Sequence, residues 1–172
     1  VTLERDPIPR VSSLPPDTRQ ACVSDISALR NIAAVSHYDS RFYNDRHFTR
    51  EQCDQLYRAW IEKSCQGWAD HVVVVERDDN PIGYLTVHLR EPGTASVGLV
   101  GVAPAYRRQG IGARLMGGAL AWLSGQPVGR VWTATQGRNA ASQGYFQKAG
   151  FRPTGRAIWY HRWFSESNGT AS

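Results

Sequence analysis

The stretch from Val97 to Met116 constrains the fold of this chain more than any other part of it. An apolar run ends at Pro104, a short basic turn follows, and Gly110 and Gly112 open an amphipathic segment. This order predicts a β-strand that enters a glycine-rich turn and then a helix. The first N–H groups of a helix have no partner within it, and the helix dipole adds partial positive charge there. Because glycine also lets the main chain approach a ligand closely, the turn is suited to bind a phosphate or pyrophosphate.

Spacing separates the known kinds of phosphate-binding turn. The loop of nucleoside triphosphatases requires Lys-Ser or Lys-Thr after its last glycine, and this chain has neither there. A dinucleotide fold requires a third glycine where this chain has leucine, and its turn follows a first strand. What remains is Arg107-x-x-Gly110-x-Gly112 preceded by Val102-x-Pro104, which closely resembles the acyl-CoA pyrophosphate loop of the GNAT superfamily of N-acetyltransferases. The alternative is an ordinary tight turn with two glycines.

A second segment, from Asn139 to Phe151, resembles the other CoA-contacting motif of this superfamily, Asn-x-x-Ala-x-x-Leu-Tyr-x-Lys-x-Gly-Phe. The two motifs occur in the family's order, and the resemblance spans residues 19–164. It implies acetyl-CoA as cosubstrate, bound along the strand that ends at Val102 and at the glycine-rich turn. The residues that it assigns to acetyl-CoA are Val100, Gly101, Val102, Arg107, Arg108, Gln109, Gly110, Ile111, Gly112, Ala113, Asn139, Ser142, Phe146 and Lys148.

The second motif departs from the family at its catalytic position. The family's tyrosine, which protonates the departing sulfur, stands seven residues after the asparagine, and here that residue is Phe146. The motif's tyrosine is Tyr145, where the pattern has leucine. One residue on a helix is a rotation of ~100°, so the Tyr145 hydroxyl does not simply replace one at 146. Tyr145 is the expected acid if the helix is locally shifted; otherwise another tyrosine such as Tyr160 serves, or the sulfur leaves unaided. Core packing is the alternative role of Tyr145.

The resemblance also implies how the strand before the glycine turn works. In the family this strand separates from its neighbour, and the pantetheine arm pairs with the exposed edge. Here the strand is Leu99 to Val102, and the N–H near Val100 is the expected donor to the thioester oxygen. Gly98 and Gly101 predict a β-bulge at this point, or simply relieve crowding.

The segment from His37 to His47 mixes titratable and aromatic side chains between two predicted helices, where family members line the acceptor pocket. A base is needed to take a proton from the amine, and carboxylates or imidazoles serve that purpose. Each candidate has a surface or capping role as its alternative. The expected acceptor-site residues are Asp39, Phe42, Asp45, His47 and His88, and all of them except the phenylalanine are candidate bases.

Several short segments are most similar to the dTDP-fucosamine acetyltransferases of the superfamily: Gly83-Tyr84, Gly98-Leu99, residues 134–136 and Trp159-Tyr160. This similarity implies acetylation of the 4-amino group of a dTDP-linked 4-amino-4,6-dideoxygalactose, by direct attack in a ternary complex. Three other functions stay open. In the first, the acceptor is another small amine or a protein amino group. In the second, the chain is a degenerate CoA-binding module, which the phenylalanine at position 146 favours. In the third, the chain binds nucleic acid.

Composition limits these choices. The net charge of +5 favours polyanionic partners, but the basic residues are dispersed, so nucleic acid ranks last. The histidines and three cysteines show no ligand spacing, so we expect no metal and reduced thiols in a cytoplasmic protein. No apolar run approaches the ~20 residues that span a bilayer, so we expect no membrane partner. A homodimer is left open.

The 172 residues predict one domain, an α/β (α+β) fold of the GNAT type. Its mixed, mainly antiparallel central sheet carries helices on both faces and a splayed acyl-CoA cleft. We expect residues 1–16 to be a linker or the remnant of a preceding domain, with a strand over Val1 to Arg5, residues 17–165 to be the acetyltransferase domain, and 166–172 to be a disordered tail. The predicted strands are Arg19–Val23, His71–Glu76, Ile82–Leu89, Ala95–Val102, Gly129–Thr135, Phe151–Thr154 and Ala157–Phe164, and the predicted helices begin at Ser24, Thr49, Gly110 and Asn139.

Overall fold

A computed structural model describes residues 1–6 and 13–164, and in that part of the chain one seven-stranded sheet is flanked by four α-helices. The strands are β1 (Thr2–Arg5), β2 (Thr18–Gln20), β3 (His71–Arg77), β4 (Asn80–Leu89), β5 (Gly93–Val102), β6 (Val128–Ala134) and β7 (Arg152–Gly155). The helices are α1 (Ile26–Ala34), α2 (Arg50–Lys63), α3 (Ile111–Ser124) and α4 (Ala140–Lys148).

The sheet has the order β2-β3-β4-β5-β6-β1-β7, and every neighbouring pair is antiparallel except β5 and β6. That one pair is parallel because α3 carries the chain back across the sheet between them. The expected mixed, mainly antiparallel sheet is therefore confirmed.

Helices cover both faces of the sheet, as the valine run in β3 predicts. Val73 and Val75 belong to the core formed with α3 and α4, whereas Val72 and Val74 belong to the core formed with α1 and α2. Successive side chains of a strand point to opposite faces, so a strand buried on both sides has no polar face. Full burial of each such side chain contributes about 1.5–3 kcal/mol of hydrophobic free energy.

Local signals in the sequence set several element ends correctly. Thr49 and Gln52 form the expected capping box at the start of α2, with bonds of 3.2 and 2.8 Å. The β3–β4 hairpin turns at Asp78 and Asp79, both with positive φ. The Asn139 side-chain oxygen accepts the Ser142 N–H at 2.9 Å and caps α4. Such a cap stabilises a helix by about 1 kcal/mol.

The first helix begins differently from the prediction. Ser24 does not cap it; Ser24 lies inside a 3₁₀ turn, Val23–Asp25, that precedes α1. The Asp25 carboxylate accepts the Cys22 N–H at 2.8 Å and pairs with Arg19 at 2.7 Å. These bonds turn the chain out of β2, which ends at Gln20 and not at Val23 as predicted.

The two ends of the described chain depart furthest from expectation. Thr2–Arg5 is not part of a linker: it is the predicted strand, it lies between β6 and β7, and its Leu3 is fully buried. The sheet thus extends beyond the 17–165 expected for the domain. The predicted strand Ala157–Phe164 is wrong, since these residues are irregular, with Trp159 and Tyr160 73% and 84% exposed. β1 lies between β6 and β7 and pairs with both, so no position is left there for another strand. The chain after Gly155 instead contacts the 38–48 segment. The tail 166–172 lies outside the described residues.

Candidate functional site

A cleft opens where β5 and β6 separate. The two strands pair from Gly93–Val128 as far as Val97–Thr133, while β5 stays paired with β4 up to Val102. The edge of β5 from 98 to 102 therefore faces open space, and the cleft beside it has a volume of about 540 Å³. This is the splayed cleft that the sequence predicts.

A β-bulge lies at the point of separation. Leu85 to Val87 on β4 stands opposite Val97 to Val100 on β5, so β5 carries one extra residue. The buried Thr86 hydroxyl accepts the Leu99 N–H at 2.8 Å and thereby satisfies a backbone group that the bulge removes from the strand pairing. Thr86 is a site residue that the sequence analysis missed, since an isolated threonine in a strand gives no signal of this kind.

The bulge sets the direction of the backbone donors beyond it. The Leu99 N–H and the Ala103 N–H both point to β4, the latter donating to the Ile82 carbonyl at 2.9 Å. N–H groups alternate between the two edges of a strand. The Val100 and Val102 N–H groups therefore point into the cleft, where Val100 was expected to donate to the thioester oxygen.

Two glycines of β5 are required by close approach of side chains from β4. A Cβ atom at Gly98 would lie 2.7 Å from the Thr86 Oγ1 and 2.9 Å from the His88 Nε2. A Cβ atom at Gly101 would lie 2.6 Å from the Tyr84 ring. The two predictions for Gly98, a β-bulge and the relief of crowding, are therefore both correct, because the bulge and the crowding occur at the same place.

The glycine-rich turn carries a run of free backbone donors. Gly110 has φ +79° and precedes α3, and the first backbone bond of the helix is from Arg114 N–H to the Gly110 carbonyl at 3.2 Å. Across residues 1–6 and 13–164, no backbone acceptor meets the N–H groups of residues 108–113. Six consecutive donors at the positive end of a helix dipole fit the pyrophosphate of a CoA molecule.

The side chains around this turn hold its shape. The Arg107 guanidinium donates to the Val102 carbonyl at 3.0 Å and to the Val35 carbonyl, at the end of α1, at 2.9 Å. Gln109 donates to the Ala105 carbonyl at 2.9 Å. Ile111 is buried in the core, so only its backbone is free for a ligand.

The residues assigned to acetyl-CoA fall into three groups. Those that line the cleft are Val100, Gly101, Val102, Arg107, Asn139, Ser142 and Phe146. Those that form the turn and the first residues of α3 are Arg108, Gln109, Gly110, Ile111, Gly112 and Ala113. Lys148 is exposed near the end of α4 and does not line the cleft.

Tyr145 and Phe146 have different environments on α4. The Tyr145 hydroxyl donates to the Gly112 carbonyl at 2.9 Å, its ring packs where a Gly112 Cβ would be, and burial raises its pKa well above the usual range. Phe146 is buried against Phe151, with ring centroids 5.4 Å apart. The Tyr145 proton is therefore held by the glycine turn, so the hydroxyl also positions that turn. Its role as the acid stays a prediction.

His88 is the candidate base with the most suitable position. It lines the cleft, and its Nδ1 lies 3.2 Å from the Trp68 carbonyl, which can only accept. Nδ1 therefore carries the proton, and Nε2 keeps its lone pair beside Gly98. Burial, and then the charge of Arg90, lower the pKa of His88, so the imidazole is neutral at pH 7.

The other acceptor-site candidates divide between two places. Asp39 and Phe42 line the same cleft as His88. Asp45 and His47 lie in a neighbouring depression, where the Asp45 carboxylate binds the His47 N–H at 3.0 Å and also His161 and Trp163. The His47 N–H and then the His161 ring hold the pKa of Asp45 well below its usual range, which makes it a poor base.

The cleft wall contains a half-buried imidazole that the sequence analysis did not select as a base. The His37 Nε2 lies 2.9 Å from the Tyr84 hydroxyl, and its ring stacks on Tyr57 at 4.3 Å between centroids. Burial lowers the pKa of His37 to about 4. A neutral His37 thus supports Tyr84, whose ring lies over Gly101.

Two features are absent from the described residues. No helix in 1–6 and 13–164 is long and apolar enough to cross a membrane. The same residues contain no group of three or more histidine, cysteine, aspartate or glutamate side chains arranged to hold a metal ion.

Known proteins are similar to this chain in sequence. The sequence model described as "Acetyltransferase (GNAT) family" matches residues 29–151. The spore coat polysaccharide biosynthesis protein SpsD of Bacillus subtilis is 24% identical over 139 residues, which cover 81% of this chain and 48% of that protein. The chain thus spans about half the length of that curated relative.

Solved structures show the same fold. AAC(6')-Iy, in complex with the bisubstrate analogue CoA-S-monomethyl-acetylneamine, is 19% identical with a TM-score of 0.63, over 86% of this chain and 98% of its own. The ribosomal-protein-S18-alanine N-acetyltransferase of Escherichia coli is 17% identical with a TM-score of 0.62, over 80% of this chain and 78% of its own. At these identities the likeness concerns the fold alone.

Proposed function

This chain belongs to the GNAT family of acetyltransferases, whose acyl donor is acetyl-CoA, and on that premise we propose that it acetylates the 4-amino group of a dTDP-linked amino sugar. The observation that carries the acetyl-transfer part of this proposal is the open edge of β5, where the Val100 and Val102 N–H groups face the cleft beside six free donors of the glycine turn. The match to a spore coat polysaccharide biosynthesis protein supports a sugar acceptor.

Backbone groups do most of the work of binding and activation. Acetyl-CoA supplies a thioester whose carbonyl carbon accepts the amine. The N–H groups of residues 108–113 bind the pyrophosphate, and the edge of β5 aligns the pantetheine arm as an added strand. The Val100 N–H donates to the carbonyl oxygen as negative charge develops on it. One such donor is worth about 10²–10³ in rate.

His88 removes the proton that the amine loses. The nitrogen lone pair forms the new C–N bond, the C–S bond breaks, and the sulfur leaves with the bonding electrons. His88 Nε2 takes the ammonium proton, because its Nδ1 proton is held by the Trp68 carbonyl. A thiol of pKa about 8.5 leaves as the thiolate without an acid, so Tyr145 does not have to release its proton.

The test is acetyl transfer to a matched pair of acceptors. Thiol release is followed with acetyl-CoA and either dTDP-4-amino-4,6-dideoxygalactose or dTDP-6-deoxygalactose, which differs only by a hydroxyl in place of the amine. We expect release with the amine and none above background with the hydroxyl. Equal release with both acceptors, or turnover only with a protein or an unrelated small amine, contradicts the proposed acceptor.

A further inference from the structure

A depression of about 470 Å³ adjoins the acceptor end of the cleft. It lies between the 41–47 segment and the irregular segment 159–163, and Arg41 and Gln136 line both the depression and the cleft. A ligand bound in the depression can therefore reach the cleft with another part of its structure. We call it the side depression.

The side depression carries an excess of positive charge. Arg41, Arg46 and Arg138 line it, and within residues 1–6 and 13–164 none of the three pairs with a carboxylate. Arg138 donates to the Asp39 carbonyl at 2.9 Å, which aims its guanidinium without neutralising it. The carboxylate of the depression, Asp45, is engaged by neighbouring side chains. Arginine forks of this kind match the oxygens of phosphate groups.

Flat side chains stand beside these arginines. Trp159 and Tyr160 are largely exposed, although large aromatic rings usually contribute most when buried. The Arg41 guanidinium lies over the Trp159 ring at 5.1 Å from its centroid. Such surfaces bind the face of a nucleobase by stacking.

The segment that carries these rings is held in place. The Asp45 carboxylate accepts from the Trp163 Nε1 at 3.1 Å, and the His47 ring stacks on Trp163 at 4.5 Å between centroids. His161 stacks on Phe42, a residue of the cleft, at 5.8 Å. The irregular segment 159–163, which was predicted to be part of a strand, therefore forms one wall of the side depression.

We propose that the side depression binds a nucleoside diphosphate group of the acceptor, with the diphosphate on Arg46 and Arg138 and the base on Trp159. This assignment rests on the proposed function and names the part of the acceptor that the side depression binds. The amine of the same molecule then extends past Arg41 into the cleft.

Calorimetry with thymidine 5′-diphosphate tests the assignment, with saturating CoA present so that the glycine turn is occupied. The test variant is Arg46→Ala, since Arg46 makes no hydrogen bond or ion pair to any described residue and its loss should not disturb the fold. The matched control is Arg58→Ala, an arginine on α2 outside both cavities, which donates to Asn31 at 2.9 Å.

We expect the parent to bind the probe and Arg46→Ala to weaken binding at least about ten-fold, the effect of one charge-assisted hydrogen bond. Trp159→Leu should weaken it about five-fold or more through lost stacking. Arg58→Ala should stay within about two-fold of the parent. Affinity for CoA should be the same in all four proteins.

Two results overturn the assignment: no binding of thymidine 5′-diphosphate to the CoA-loaded protein, or equal binding by the parent and Arg46→Ala. Failure of the proposed function has a different signature. In that case the probe binds in an Arg46-dependent way, but dTDP-4-amino-4,6-dideoxygalactose is not acetylated. Conversely, acetylation with a KM that Arg46→Ala leaves unchanged refutes the side depression and retains the function.

Discussion

The Thr86 hydroxyl offers the sharpest test of how the cleft is activated. In Thr86→Val the side chain keeps its shape, but the Leu99 N–H loses the fully buried Thr86 hydroxyl as its acceptor at 2.8 Å. This bond is partly buried, and a donor left unpaired away from water costs about 1–3 kcal/mol. At about 2–4 °C per kcal/mol for a domain of this size, the melting temperature should fall by about 2–12 °C.

The effect on turnover separates the chemical role of the bulge from its structural role. Without the Leu99 bond the bulge relaxes and the Val100 N–H turns away from the cleft. Since one oxyanion donor is worth about 10²–10³, we expect kcat to fall at least about ten-fold, measured by thiol release. Thr86→Ser is the matched control: it loses a methyl group, worth about 1 kcal/mol, but keeps the acceptor and should keep kcat. A Thr86→Val protein with lower melting temperature and parental kcat would refute the reasoning.

Four further outcomes follow from the site. The kcat/KM of the parent should stay level down to about pH 6.5 and fall only below it, because His88 must be neutral and its pKa is lowered. The variant His88→Gln should lose this fall of kcat/KM at low pH. A parental pH profile in that variant excludes His88 as the base. Gly110→Val should raise the Kd for CoA in calorimetry, because φ +79° is strained for a β-branched residue and the turn must change; an unchanged Kd contradicts the pyrophosphate site. Tyr145→Phe loses the hydrogen bond to the Gly112 carbonyl, so it should raise the KM for acetyl-CoA and reduce kcat less than about ten-fold. A larger fall in kcat at constant KM would show that the hydroxyl is the acid. Unfolding monitored by circular dichroism should show stability lost as pH falls from about 6.5 towards 4, because His37 binds its proton more readily in the unfolded chain; a flat profile contradicts its burial as the neutral imidazole.

Signals confined to a few neighbouring residues were read correctly from the sequence. The capping box of Thr49 and Gln52, the cap at Asn139 and the turn at Gly110 depend on local bonds and backbone angles. Each of these arrangements is satisfied within one helical turn, so the rest of the fold has little influence on it.

Features that depend on competition between distant segments were not predictable. Residues 157–164 have the alternation and aromatic content of a strand, but Thr2–Arg5 lies between β6 and β7 and pairs with both of them. A pattern identifies a strand but not which of two strands takes an edge. The bulge at Leu99 is similar, since it depends on the register of β5 against Thr86 of another strand.

The placement of acceptor-site residues was predictable only in part. The loop from 37 to 47 was expected to line one pocket, yet Asp39 and Asp45 face different cavities. The reason is that Asp45 binds side chains of the irregular segment more than a hundred residues later in the chain. Spacing along the loop carries no information about that contact.

The central claim is that the open edge of β5 and the glycine turn together hold acetyl-CoA. Backbone amide shifts of ¹⁵N-labelled protein, titrated with ADP and then with acetyl-CoA, test it directly. ADP should shift the amides of residues 108–113 and, as a nucleoside diphosphate, those of the 41–47 segment beside the side depression, but not those of Val100 and Val102. Acetyl-CoA should shift the amides of residues 108–113 and also those of Val100 and Val102. Shifts confined to the 41–47 segment, or no change at Val100 and Val102 with acetyl-CoA, would contradict the claim.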